Sequence, residues 1–264
     1  MSMPIDTILV QLLVDTDHWQ SLFGTSGPLS LILLPLGELE QTQAVSCLTP
    51  TELERFAQFT YPKRKLEWLG GRMVAKYAAI SVAAIHDSDE TSAWQGLEVA
   101  AAADGRPFLR IARAPDRKLP DISISHSHGL AAAMAAAEAR CGVDIQKVTE
   151  SVIKVQKKFA APAEVDILQG LAGCGPEASQ LTLLWAAKEA LKKAVGTRAL
   201  PGFMEMKLCG TATDTNGDFG DYFIFDFNLP ARPAGRATDT SSVAVLFYEE
   251  HVLAFTGVAE QYMI

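Results

Sequence analysis

Apolar and polar positions fall into a few clear patterns along the chain. Leu29–Leu36 is an unbroken apolar run ending at Gly37, the signature of a buried strand. Thr49-Pro50-Thr51-Glu52 combines a capping hydroxyl, a proline suited to the first helical position and a glutamate that completes a capping box. It predicts a short helix to about Phe59. A longer helix restarts at Tyr61-Pro62 and runs to about Ile85, its stripe Leu66, Leu69, Met73, Tyr77 and Ile80 at helical spacing. Strands are expected at Leu97–Ala101, Ile122–Ser125 and Cys141–Ile145, with a turn at 104–107. Leu130–Ala139 is ambiguous: alanine favours helix, whereas the flanking strands and the glycines at 129 and 142 favour a packed strand, the reading adopted here. The second half predicts helices at Val152–Phe159, Pro162–Gln169 and Glu177–Val195. Its strands are expected at Phe203–Leu208, Tyr222–Phe227, Val243–Tyr248 and Val252–Gly257, with loops at Gly210–Gly220 and Pro230–Ser242. Each half holds about three helices and several strands, no repeat is visible residue by residue, and the class is α+β.

Charge narrows the functions. Of 264 residues, 31 are acidic and 23 basic, and the first basic residue is Arg55. The seven acidic residues before it give that stretch all but one unit of the net charge of −8. An acidic chain is a poor candidate for sequence-independent nucleic-acid binding, which runs on phosphate neutralisation, although local basic clusters can still grip a small anion. No positive segment precedes the first apolar residues, and the runs Ile8–Val14 and Leu29–Leu36 are too short to span a bilayer. Four scattered cysteines without a Cys-x-x-Cys pair, and five dispersed histidines, fit reduced thiols in a cytoplasmic protein rather than a disulfide frame or zinc site.

Four constellations carry possible chemistry. Trp185 through Lys193 lies in the predicted helix 177–195, where Leu181, Leu184, Leu191 and Val195 form an apolar stripe that Lys188 interrupts. Such breaks of pattern concentrate at functional sites, although a snorkelling lysine beside a surface Glu189–Lys193 pair accounts for the same residues. Asp144 and Gln146 point to one face of a strand and offer oxygens to a hard cation such as Mg²⁺. Ser125-His126-Ser127-His128 ends a strand before a glycine and can donate hydrogen bonds to phosphate. Finally, Lys65, Arg72 and Lys76 stand at i, i+7 and i+11 beside the long helix's apolar stripe, a cationic face suited to an anion or to solvent.

Together, and in order, these segments resemble the surfactin-type 4′-phosphopantetheinyl transferases. The motifs are Trp68-Leu69-Gly70-Gly71-Arg72, Gly105-Arg106-Pro107, Ile124-Ser125-His126-Ser127, Gly142-Val143-Asp144, and Trp185 through Lys193, supported by Lys157-Lys158-Phe159 with Glu164. The resemblance covers about residues 29–260. It implies two similar α+β halves packed as a pseudo-dimer in one monomeric chain: 29–140, then 141–264 with the metal carboxylates, after an extension at 1–28 that it does not explain. It further implies coenzyme A in the cleft and Mg²⁺ on the pyrophosphate. The phosphopantetheine arm would pass to a serine of an acyl or peptidyl carrier protein, releasing adenosine 3′,5′-bisphosphate. On this resemblance Asp144 and Glu189 hold the metal, with Gln146 beside them, and Glu189 doubles as general base. Lys188 and Lys193 steady the pyrophosphate, and Ser125 and His126 hold phosphate. Arg106 lies near the adenine, and Arg55, Arg64, Arg72 and Lys76 are the pool for the 3′-phosphate.

Two residues depart from the family pattern. Gln146 replaces a common glutamate and removes one negative charge from the metal site; Ala186 replaces a usual Ser, Thr or Cys. Competing readings are a non-catalytic binder of coenzyme A or carrier protein, against which the retained Asp144, Glu189, Lys188 and Lys193 argue, and a metal-dependent phosphodiesterase, for which a two-metal His/Asp cluster is lacking.

Overall fold

The computed structural model describes residues 10–11, 16–83, 94–196, 202–216, 220–229 and 240–259. Within these, strands β1 (Val10–Gln11), β2 (Leu29–Pro35), β5 (Asp121–Ser127) and β6 (Leu130–Ala136) form a sheet in the order β1-β2-β6-β5. Strands β3 (Leu97–Ala101) and β4 (Pro107–Ile111) pair separately. The second sheet runs β7-β11-β10-β9-β8, from β7 (Ala139–Lys147), β8 (Lys207–Asn216), β9 (Gly220–Asn228), β10 (Thr240–Tyr248) and β11 (His251–Ala259). The helices are α1 (Thr16–Phe23), α2 (Gln41–Ser46), α3 (Pro50–Ala57), α4 (Pro62–Ala83), α5 (Ser151–Val155), α6 (Pro162–Gln169) and α7 (Glu177–Val195).

Three buried clusters stack helix, sheet, sheet and helix. Met73 and Ala75 of α4 pack on Ile32 and Leu34 of β2 and on alternate alanines of β6. Leu184 and Leu191 of α7 pack on Ala254 of β11 and Val245 of β10. Between the sheets lie Leu31 and Leu33 of β2, Met134 of β6, Val143 and Ile145 of β7 and Phe255 of β11. Strand β6 is therefore buried on both faces, and its small side chains let a helix and a sheet approach from opposite sides. That burial outweighs the helix preference of alanine. The turn His128-Gly129 that feeds it takes both residues to positive φ, 43° and 93°, as a two-residue hairpin requires.

The doubling that the family resemblance implied, and that no residue-by-residue repeat showed, is present in the order of elements. Each half runs strand, helices, then two antiparallel hairpins, and β2, α3 and α4 are followed about 112 positions later by β7, α6 and α7. Only two residues, Ala137 and Glu138, join β6 to β7. Other expectations need adjustment. Residues 210–216, expected as loop, extend β8, because they pair with β9 through Asn216 opposite Gly220. Phe203 precedes that strand, its ring set against Trp185 at 5.2 Å. Helix 152–159 stops at Val155 and tightens into a 3₁₀ turn. Ile85 and residues 230–239 lie outside the described residues. Helix α1 had no expectation; it sends Trp19 into the inter-sheet core, 4.9 Å from Phe255 between ring centroids.

Candidate functional site

The site forms where the edges β5 and β7 meet. The alternation Ser123, Ser125, Ser127 turns three hydroxyls toward β7, and they accept from the N–H groups of Val143, Ile145 and Lys147 at 3.1, 3.3 and 3.2 Å. Side chains thus join two sheets whose backbones do not pair. Helix α7 crosses β7 closely at Gly142, where a Cβ would collide with the carbonyl oxygen of Ala190. This close crossing brings Glu189 and Lys193 of α7 over Asp144.

Asp144 is 3% exposed and surrounded by donors. Its Oδ1 accepts from Ser125 Oγ and Lys193 Nζ, both at 2.8 Å, and its Oδ2 accepts from Gln146 Nε2 at 2.8 Å. Lys193 also donates to Val143 O at 2.8 Å. Glu189 is half-buried; burial raises its carboxyl above the ordinary value, and the charge of Asp144 raises it further against the pull of Lys193 and Lys192. A carboxylate beside a carboxyl that its charge pushes toward protonation is a donor set into which a divalent cation fits in place of the proton. Among the described residues no cluster of three or more His, Cys, Asp or Glu forms a metal site. Any ion there would take its remaining ligands from phosphate and water. Gln146 sits beside Asp144 as expected, but presents its amide N–H₂ to it as a donor.

Next to this cluster a cavity of about 200 Å³ opens between α4, the β3–β4 hairpin and β5, lined by Arg64, Glu67, Trp68, Arg72, Gly105 and His126, among others. Arg72 lies over the Trp68 ring at 4.2 Å, and burial lowers its guanidinium to about 10. Burial also lowers His126, whose Nδ1 is 3.9 Å from Glu67. Glu67, a carboxylate in an otherwise cationic pocket, belongs to none of the sequence motifs; its place on the helix face of Arg64 and Lys63 is the signal that points to it.

Five expected ligand contacts are not where the sequence put them. Lys188 is fully buried, donating to Glu164 and to the carbonyls of Phe159 and Phe203, and does not reach Asp144. It faces the core, as the helical wheel said, but it faces a distant glutamate there. Lys76 is likewise buried against Glu52 and leaves the cationic face. Lys65 lies 4.3 Å over the Phe56 ring. Arg106 turns inward to the carbonyl of Lys193 and to Asp121 at 2.5 Å, tying the N-terminal half to the end of α7. Arg55 is exposed and bonds Gln58 at 2.8 Å.

Residues 140–251 match the family model described as the 4′-phosphopantetheinyl transferase superfamily. No curated protein sequence matches the chain. Among solved structures, the holo-[acyl-carrier-protein] synthase of Thermotoga maritima aligns over 50% of this chain and 73% of its own, at 18% identity and a TM-score of 0.31, a likeness too loose to carry an argument. No helix among the described residues is long and apolar enough to cross a membrane. The matched segment, less than half of the chain, holds Asp144, Gln146, Lys188, Glu189 and Lys193, and the match supports an enzyme of the phosphopantetheinyl transferase type.

Proposed function

We propose that this chain is a Mg²⁺-dependent transferase of the surfactin type, acting on a serine of an acyl or peptidyl carrier protein with coenzyme A as donor. The observation that carries this reading is the pairing of the Asp144–Glu189–Lys193 cluster with the cationic cavity at His126, Arg64 and Arg72 across the β5–β7 seam. In this reading residues 29–140 and 141–264 are the two halves, 1–28 an added segment, and the working unit a cytoplasmic monomer.

The nucleotide end of coenzyme A lies in the cavity, its 3′-phosphate held by Arg64, Arg72 and His126. Lys193, whose side chain stays partly exposed, holds the pyrophosphate, Ser125 spends its one proton on orienting Asp144, and Glu189 takes the proton of the carrier serine, directly or through water. The serine oxygen attacks the β-phosphorus, the bond to the bridging oxygen breaks, and adenosine 3′,5′-bisphosphate leaves. Phosphoryl transfer of this kind needs positioning and charge neutralisation more than covalent help. Asp144 and Glu189 would hold Mg²⁺, which when bound neutralises charge on the phosphate oxygens.

The test is to incubate the protein with apo carrier protein, coenzyme A and Mg²⁺ and to weigh the carrier. A phosphopantetheine adduct supports transfer. An unchanged carrier with intact coenzyme A refutes it in favour of a binder, and degraded coenzyme A refutes it in favour of a hydrolase.

A further inference from the structure

The two halves share one buried device. In the first, Lys76 Nζ donates to Glu52 at 2.6 Å, to Cys47 O at 2.8 Å and to Trp94 O at 2.9 Å. In the second, Lys188 Nζ donates to Glu164, to Phe159 O at 2.7 Å and to Phe203 O at 2.9 Å. The glutamates match as well. Glu52 accepts from Thr49 N and Val99 N at 2.9 and 3.0 Å; Glu164 accepts from Ala161 N and Leu208 N, both at 2.8 Å. The residues on the helical side stand 112 positions apart throughout: 47 and 159, 49 and 161, 52 and 164, 76 and 188. Each device ties the start of a short helix, the middle of a long helix and the first strand of the following hairpin.

An ammonium has three protons. Both lysines spend all three inside the protein, and both are 0% exposed. Neither has one left for a phosphate. The positions equivalent to Asp144, Glu189 and Lys193 in the first half are Ile32, Tyr77 and Ser81, so the device there stands away from any acidic cluster. What the two devices share is therefore the hold on a long helix, and what differs is the cargo of that helix. Arg72, one turn before Lys76, and Trp68 line the cationic cavity; Glu189 and Lys193 follow Lys188.

We infer that Glu52–Lys76 and Glu164–Lys188 are twin positioning struts, the first setting α4 for nucleotide binding and the second setting α7 for turnover. The assignment of cargo rests on the function proposed above; the shared strut rests on geometry alone. Removing one partner leaves a buried charge unpaired, whereas removing both charges does not.

The experiment compares Lys76→Met and Lys188→Met, each alone and with its partner neutralised (Glu52→Gln, Glu164→Gln), in the full chain. Thermal unfolding should fall comparably in the two single variants and recover in part in each neutral pair. At a temperature where the variants are folded, kcat and KM for coenzyme A are measured with apo carrier protein, and coenzyme A binding is measured by calorimetry. A helix displaced by about 1 Å costs its function on the order of 100-fold, so a partial shift should cost about tenfold. Lys76→Met should weaken coenzyme A binding and raise its KM about tenfold, with kcat close to that of the unaltered protein. Lys188→Met should do the reverse. The neutral pairs should show the same split, more weakly, and they carry the test if a single variant does not fold. An identical kinetic change in both, or a Glu164→Gln/Lys188→Met protein that regains its melting temperature yet stays as inactive as Lys188→Met, overturns the inference. If the unaltered protein neither modifies a carrier nor binds coenzyme A, the reading of the site falls. The paired melting losses and their recovery then still decide the strut.

Discussion

Lys193 is the residue on which the charge balance of the site turns. Its Nζ is 2.8 Å from Asp144 Oδ1, and Asp144 is almost wholly buried beside Glu189. Lys193→Met keeps the aliphatic stem and removes the charge. Breaking a fully buried pair by deleting one partner costs about 3–5 kcal/mol. The lysine side chain is 30% exposed, and solvent screening reduces this to about 2 kcal/mol. For a chain of this size that is a fall of about 4–8 °C in the melting temperature. The double variant Asp144→Asn/Lys193→Met leaves no uncompensated carboxylate at 144 and should regain much of the loss, a coupling readable in a double-mutant cycle. Thermal unfolding of the four proteins at neutral pH is the assay. A Lys193→Met protein as stable as the unaltered one, or a double variant no better than the single, would falsify the claim that this ammonium compensates Asp144.

Three further outcomes follow from the site. Glu189, raised by burial and by Asp144, should titrate above the ordinary glutamate value of about 4.3 in carboxyl-selective NMR and move down in Asp144→Asn. Its folded value lies above its unfolded one, so the stability it contributes is present below about pH 4.3 and is lost as pH rises through the raised value. Dephospho-coenzyme A, which lacks the 3′-phosphate, should bind more weakly than coenzyme A, the gap narrowing as salt screens Arg64 and Arg72; equal affinities at low salt would sink the cationic pocket. Gln146→Glu should lower the Mg²⁺ concentration for half-maximal carrier modification, and superimposed titrations would show that position 146 does not bear on the metal.

What the sequence disclosed, and what it hid, divides by the range of the interaction. The helix at Glu177–Val195 and the Thr49–Glu52 capping box are local patterns, and both stand in the structure as read. The Ser125 and Asp144 segments were legible as strands because alternation is local too. Lys188 and Lys76 were misassigned because a helical wheel shows that a charge faces inward but not what meets it, and each partner lies 24 residues away. The doubling of the fold was legible only through the family resemblance, because few residues recur 112 positions on, among them Pro50, Glu52, Leu69, Ala75, Lys76 and Ala78, and the positions equivalent to Asp144, Glu189 and Lys193 are Ile32, Tyr77 and Ser81. Helix α1 escaped notice because the ring contacts of Trp19 and Phe23 with Phe255 join it to a strand more than 200 residues distant. Strand β4 escaped because its alternate residues, Phe108 and Arg110, are exposed.

The two-residue link at Ala137 and Glu138 has a consequence for assembly. Ser125 and His126 come from the chain before the link, and Asp144, Glu189 and Lys193 from the chain after it. Were the halves separate molecules, every dilution would take some of these groups away from the others. Tethered so closely, each half meets its counterpart at an effective concentration set by the link and not by the amount of protein in solution. Bringing Ser125 and His126 up to Asp144 is therefore a step within one chain and carries no dependence on protein concentration.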